Sequence, residues 1–360
     1  MIHLSGQSTL MLDKVLMSPY RQSPRGVEVF NLNLLRDLSS MGMEVAAAMH
    51  FTWLAVAEEW MSGNRVEFLV PPPGFGDLRT ALWLTRRLCG RTFSSLLLAY
   101  VANRLVPVLI LLRMARVAPM CVLIAHREPT RRNLYVQKLW PSRISAVNRK
   151  IAGHFVRMGF PHVSVRYGIT NAECFHPTER REHGGMIDFC VTGHLDSAWK
   201  GSDTAVDAFC SLPDDVRCCC RLHLASFHKP PIFDDPNIVV YPWMDFKEMP
   251  AFLRRMDVLV VPSRDEVVMR ETFSQAMVQG MLTGLPCIVS NLPVLEEKLD
   301  CGGGVVFRDK FELTAAMAKL AGDAGLRHRM GEEARRTALE RYVWNTGDFA
   351  RDFLMAKYAE

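Results

Sequence analysis

The chain has 360 residues, 49% hydrophobic and 22% charged, which is the balance of a globular protein with length for two cores rather than one. Its longest apolar run, residues 105–112, is bracketed by Arg104 and Arg113 and falls far short of the roughly 20 residues of a spanning helix; the first residues also lack the basic-then-apolar pattern of a secretory signal. The net charge of +5 conceals a split, because residues 1–180 carry 22 Lys and Arg against 11 Asp and Glu, while the remainder carries 21 against 27.

In chain order, a first strand is expected within residues 8–17. Pro24-Arg25-Gly26-Val27-Glu28 leads into a helix over 29–41 with apolar residues at helical spacing, and 43–49 reads as the next strand. A short strand at 66–70 precedes a proline-rich turn and Gly74-Phe75-Gly76. With no third glycine and no acidic residue closing the next strand, this is a tight turn rather than a dinucleotide fingerprint. Residues 92–116 contain helical material rich in Leu and Val, facing a core in preference to a bilayer surface. A strand over 120–125 ends in His126-Arg127-Glu128, and ligands gather at the carboxyl ends of parallel strands. Strands at 144–147 and 163–167 follow, then Phe175-His176-Pro177 and a polar linker over 178–185.

The second half opens with a strand at 187–192, followed by Gly193-His194-Leu195 and Trp199-Lys200-Gly201. Residues 218–224 and 238–241 read as strands. Adjacent Cys218, Cys219 and Cys220 lack the CxxC spacing of a zinc site and read as buried thiols. Pro242-Trp243-Met244 leads to a helix near 249–254. Then come a buried strand at 258–261, a polar loop, a helix opening near Thr272, the stop Gly284-Leu285-Pro286 and another strand. Glu271 falls at the mouth of this unit, with Gln279 eight positions later. A carboxylate beside a helix N-terminus suits a sugar joined to a phosphate, because the carboxylate accepts from hydroxyls and the helix end favours an anion. A glycine-rich turn and strand at 301–307 has no Gly-Lys-Ser/Thr and is not a P-loop. Amphipathic helices at 313–320 and 329–342 and a last helix from Trp344 complete the chain.

The segment from Val258 to Pro286 resembles the E-x7-E region of retaining GT-B glycosyltransferases of family four, the group 1 type. Gly284 and Pro286 set the register, with Glu271 in the first acidic place and Gln279 where a second Glu is usual. The resemblance implies an α/β protein of the GT-B fold: two Rossmann-like domains with parallel sheets facing across a cleft. The domains would be an acceptor-binding one over 1–180 and a nucleotide-sugar-binding one over 181–343, with a terminal helix over 344–360 crossing back to the first. It further implies that Glu271 and His126 orient the donor sugar. His194, Lys200 and the amides of Thr272, Phe273 and Ser274 would hold its diphosphate, Gln279 its ribose, and Gly26 would lie close to the phosphates. His194 replaces an Arg of the family pattern, and Arg25 replaces the first glycine of a Gly-Gly turn.

These readings converge on a retaining transferase that moves a hexosyl unit from a nucleotide-diphosphate sugar to an acceptor hydroxyl in polysaccharide or glycolipid assembly. No carboxylate stands out as a covalent nucleophile, and no Asp-x-Asp closes a strand, so neither a metal nor another cofactor is expected. The alternative, motivated by Arg25, His194 and Gln279, is a nucleotide-sugar-binding protein or partner subunit whose catalysis has decayed. The basic first half fits a glycan or lipid-linked acceptor and peripheral contact with an anionic membrane, or a plain solvated surface. No recognised motif supports nucleic acid. Ten cysteines without a secretory signal imply reduced thiols and a cytoplasmic location, extending to the inner face of the membrane.

Overall fold

The computed structural model describes residues 3–13, 16–19, 26–100, 106–128, 143–168, 170, 172–178, 185–265 and 271–355. The chain forms two compact units, one of Met1–Ile169 with Trp344–Glu360 and one of Thr170–Val343. In the first, the strands are β1 (Ser8–Asp13), β2 (Glu44–Ala48), β3 (Val66–Leu69), β4 (Ser95–Tyr100), β5 (Met120–Ala125), β6 (Arg143–Ala146) and β7 (Val163–Val165). Among the described residues they make a seven-stranded sheet in the order β3-β2-β1-β4-β5-β6-β7, parallel throughout.

Side chains alternate across a strand, so each strand feeds two cores. Leu10 and Leu12 of β1 enter one cluster with Ala46, Ala48, Leu96 and Leu98, whereas Met11 enters the other with Val45, Ala47 and Leu97. Helices α1 (Gly26–Ser40), α2 (Leu54–Trp60), α3 (Asp77–Leu88), α4 (Val106–Met114) and α5 (Arg149–Arg157) accompany the sheet. A sheet buried on both faces explains the nearly continuous apolar runs of its strands. It also explains one omission: the helical material expected within residues 92–116 is α4, and β4, which precedes it, is not foreseen. A fully buried strand and a buried helix show the same unbroken apolar run, and periodicity does not separate them.

The C-terminal segment belongs to this first unit. Thr346–Phe349 is helical and Ala350–Met355 forms a π-helical turn. Phe349 and Phe353 join the Met11 cluster, Trp344 meets Phe30 edge-on at 5.1 Å, and Arg143 donates to the Asp352 carbonyl at 2.8 Å. At the other boundary, Phe175 is buried and meets Phe246 of the second unit at 5.8 Å. The chain changes unit between Ile169 and Thr170, whereas the resemblance implies a division at 180/181.

The second unit has β8 (Ile187–Thr192), β9 (Cys220–Phe227), β10 (Ile238–Pro242), β11 (Val258–Val261), β12 (Cys287–Ser290) and β13 (Gly304–Phe307). Among the described residues they form a six-stranded parallel sheet in the order β10-β9-β8-β11-β12-β13. Its helices are α6 (Ser202–Cys210), α7 (Asp214–Arg217), α8 (Met249–Leu253), α9 (Gln275–Leu282), α10 (Pro293–Glu296), α11 (Lys310–Gly322) and α12 (Ala324–Arg341). α9 lies tight on β11, because a Cβ at Gly280 would come within 2.5 Å of the Leu259 side chain. Of the three adjacent cysteines, Cys220 is buried at the start of β9. Cys218 and Cys219 are exposed just after α7, which corrects the reading of all three as buried strand thiols. Among the described residues, no helix is long and apolar enough to cross a membrane.

Candidate functional site

At the carboxyl edge of the second sheet the segment after β8 turns at Gly193 (φ 124°) and runs through a 3₁₀ turn, Ala198–Lys200, that stops at Gly201 (φ 69°). That stop aims Lys200 at Glu271, whose Oε2 accepts from Nζ at 2.7 Å. The Lys200 ammonium also sits 4.3 Å from the centre of the Trp199 ring. Glu271 is otherwise held by Ser263 Oγ at 3.3 Å and by the Ser274 N–H, which donates to Oε1 at 3.0 Å. Ser263 is itself fixed through its carbonyl, which accepts from Ser290 Oγ at the end of β12 at 2.6 Å. Burial works against a charge on Glu271. The Lys200 and Lys298 ammonium groups and the Ser274 N–H outweigh it and hold the carboxyl below its ordinary range.

The helix begins later than expected, at Gln275 rather than near Thr272. Ser274 stands before it in the left-handed region (φ 59°), and its N–H is committed to Glu271. The amides expected as a phosphate cradle are thus partly used to orient the carboxylate. Phe273 is buried with its ring 5.0 Å from Lys298 Nζ, and Gln279 is buried in the middle of α9.

Lys298, which the sequence reading passed over, lies beneath this loop with its side chain 0% exposed. Its Nζ donates to the Val294 carbonyl at 2.6 Å and lies 5.3 Å from the Tyr342 ring. Burial pushes its pKa down to about 8, against the pull of Glu297 and Glu271. A lysine is charged and solvated by default, so nothing in the local sequence marks this one as buried.

His194 belongs to a neighbouring cluster rather than to the Lys200–Glu271 pair. Its Nδ1 is 3.7 Å from Asp196 Oδ2, and its ring meets those of His228 and Trp243 edge-on at 5.3 and 6.0 Å. His228 and Trp243 stack at 4.4 Å with planes 2° apart. Several polar atoms here are buried without a hydrogen-bond partner: Thr192 Oγ1, Trp199 Nε1, His228 Nε2, Trp243 Nε1 and Ser274 Oγ. All five belong to residues at, or in segments following, the carboxyl ends of β8, β9, β10 and β11. Buried polar groups are ordinarily satisfied, so this concentration marks the edge as a place built for a ligand.

The remaining candidates lie in the first unit. His126 follows β5 and meets the Phe30 ring edge-on at 4.9 Å, with Nε2 buried and unpartnered. Burial, with help from Arg127, pushes its imidazole down to about 4, so it is neutral at physiological pH. Gly26 is the first residue of α1, and Arg25 lies outside the described residues. Among the described residues, the structure brings together Lys200, Glu271 and Ser274, with Phe273 and Lys298 adjoining. His126 and Gly26 occur in the other unit.

Residues 187–323 match the family model described as "Glycosyl transferases group 1". This stretch is thus similar to the group 1 glycosyl transferases. The whole chain has the GT-B fold, as two Rossmann-like units. Anabaena HepE, solved in complex with UDP and glucose, superposes with a TM-score of 0.72 at 15% identity, over 96% of this chain and 97% of that one. A sucrose-phosphate synthase from Thermosynechococcus elongatus gives 0.73 at 15% identity over 98% and 100%. A glycosyltransferase from Rickettsia africae gives 0.75 at 11% identity over the same shares. A 41.2 kDa uncharacterized protein in the cps region of Klebsiella pneumoniae is 39% identical over 66 residues. That stretch covers 18% of this chain and 17% of the relative.

Proposed function

We propose that the protein transfers a hexosyl unit from a nucleotide-diphosphate sugar to an acceptor hydroxyl, with retention of anomeric configuration and without a metal step. The observation that carries this reading is the closed Lys200–Glu271 pair inside the stretch that matches the group 1 model, at an edge lined with unsatisfied buried polar atoms. Lys200 has two further N–H donors for a diphosphate, and its charge stabilises the leaving group as negative charge develops there. Glu271, kept ionised by its neighbours, accepts from sugar hydroxyls and fixes the ring for attack. His194 and Gln279 add hydrogen-bonding capacity towards phosphate and ribose, and the Ser274 hydroxyl has no other partner. The neutral His126 imidazole and Gly26 are assigned to the donor's reacting end and phosphates. Glu271 is already paired with Lys200, and the resemblance to the retaining family assigns the acceptor proton to the leaving phosphate itself.

HepE, of the same fold, is described with UDP and with UDP-glucose, which favours a uridine-linked donor. WaaG, another neighbour, is described as a glycosyltransferase involved in lipopolysaccharide biosynthesis. Together with the basic first 180 residues, this favours a glycan or lipid-linked acceptor and work at the cytoplasmic face of an anionic membrane.

The deciding experiment is a thermal-shift panel of UDP-, GDP- and dTDP-sugars in EDTA, on the native chain and on Glu271→Ala, followed by transfer assays with the donor that binds. One donor is expected to raise the melting temperature by mass action, and the variant to lose that shift. A donor that binds without transfer or slow hydrolysis would instead favour a decayed, sugar-binding chain. No shift with any donor would overturn both.

A further inference from the structure

Beside the Lys200–Glu271 pair, His194, Asp196 and His228 each offer a ligand atom, and all three atoms lie within 4.8 Å of one another. We infer that these residues form a binding site for a divalent transition-metal ion of the Zn²⁺ class, held by two imidazoles and one carboxylate with a further position open. The inference stands on the ligand-free chain and does not depend on the donor reading.

Zinc bound to nitrogen and carboxylate oxygen at about 2.0–2.1 Å in a tetrahedral arrangement places its ligands about 3.3 Å apart. His194 Nδ1 and Asp196 Oδ2 already stand 3.7 Å apart, and all three ligand atoms lie within 4.8 Å, so they draw together on binding an ion. The ligands come from two neighbouring parallel strands, β8 and β9, paired at Thr192 and Ala225. His194 and Asp196 follow the first and His228 follows the second.

The scaffold is preorganised. Asp196 accepts the backbone N–H of His228 at 2.9 Å and of Lys229 at 3.2 Å, bonds that fix its carboxylate in place. The His228 ring is clamped on Trp243, and its buried Nε2 has no partner. Ser226, two residues before His228, is held at φ 82° and is buried, a conformation that a non-glycine residue keeps only where its surroundings impose it. A carboxylate fixed by backbone amides, together with an unsatisfied imidazole, is the donor set such an ion prefers.

The test is a Co²⁺ titration of the intact chain, followed by visible absorption and then displacement with Zn²⁺. The exposed Cys218 and Cys219, whose sulfurs are 3.7 Å apart, are the competing site, and thiolate ligation shows itself by a charge-transfer band. His228→Phe keeps the stack on Trp243 and Asp196→Asn keeps an oxygen for the amides, with melting curves to check the fold of each. A saturable d–d band is expected. It should survive the Cys218→Ser/Cys219→Ser variant and weaken by at least the 10–100-fold that even an outer partner of a metal site is worth when His228 or Asp196 is changed. No saturable band, a band lost with the cysteines, or one indifferent to both His228→Phe and Asp196→Asn overturns the assignment.

Discussion

Lys200 donates to Glu271 over 2.7 Å, with the two side chains only 13% and 8% exposed. Two charges so far withdrawn from water tolerate one another's presence better than one another's loss. Removing one partner of such a pair costs about 3–5 kcal/mol because a buried charge is left alone, while replacing both by apolar groups is often neutral. Lys200→Met and Glu271→Leu are therefore each expected to destabilise the second unit by that order, and the double variant to recover most of it. Urea melts following that unit's transition form the cycle; additive losses would show that the pair is not coupled. All three variants should lose donor binding, which separates the stability role from the functional one.

The turn that carries Lys200 is equally specific. At Gly201 (φ 69°) a Cβ would run into the Pro262 carbonyl. Gly201→Ala is expected to destabilise by at least the roughly 1–3 kcal/mol of a left-handed non-glycine residue and to weaken any donor-induced thermal shift. Gly322→Ala, at the end of α11 with nothing within 4 Å of the added carbon, is the control and should leave melting unchanged or slightly higher.

Much of this was legible from residue order. The strands at 258–261 and 287–290 and the helix between them come in the order the periodicity gives, and the Gly284-Pro286 register points to Glu271, the carboxylate that Lys200 meets among the described residues. What escaped was set by tertiary burial. β4 has no polar face to announce a strand, since both sides of the first sheet are covered. The late start of α9 follows from Glu271 taking the Ser274 amide, a contact made through folding back and not through composition. The His194–Asp196–His228 grouping joins residues 34 positions apart through strand pairing, and no local spacing reports it.

His126 supplies a pH test in the first unit. Its folded-state pKa of about 4 lies below the ordinary 6.5, so between those values the unfolded chain binds a proton that the folded chain refuses. Stability of the first unit should fall as pH drops from about 6.5 towards about 4 and then level off with respect to this group. His126→Phe, which keeps an aromatic ring beside Phe30, should lose that part of the slope. Denaturant titrations of the two proteins across this window measure the difference. Parallel curves would mean that the imidazole is not held neutral by burial.

Lys298 gives the opposite window. Its pKa is lowered from 10.5 to about 8, so from about 8 to 10.5 the unfolded lysine holds a proton that the folded one has released. The unfolded state binds more protons there, and stability gains from this group as pH rises through that range. Below about 8 the ammonium is charged in both states, and the folded chain carries the burial penalty. Lys298→Met removes the penalty and the pH dependence together: at neutral pH its stability should equal or exceed that of the native chain, and the gap should narrow towards pH 10.5. The same substitution takes away one of the cations that keep Glu271 ionised, so the pH at which donor binding is lost on acidification should move upward. A variant that melts normally but binds donor over a narrower acid range separates support of Glu271 from simple packing. An unchanged acid limit would place Lys298 in the core alone, held by the Val294 carbonyl and the rings of Phe273 and Tyr342.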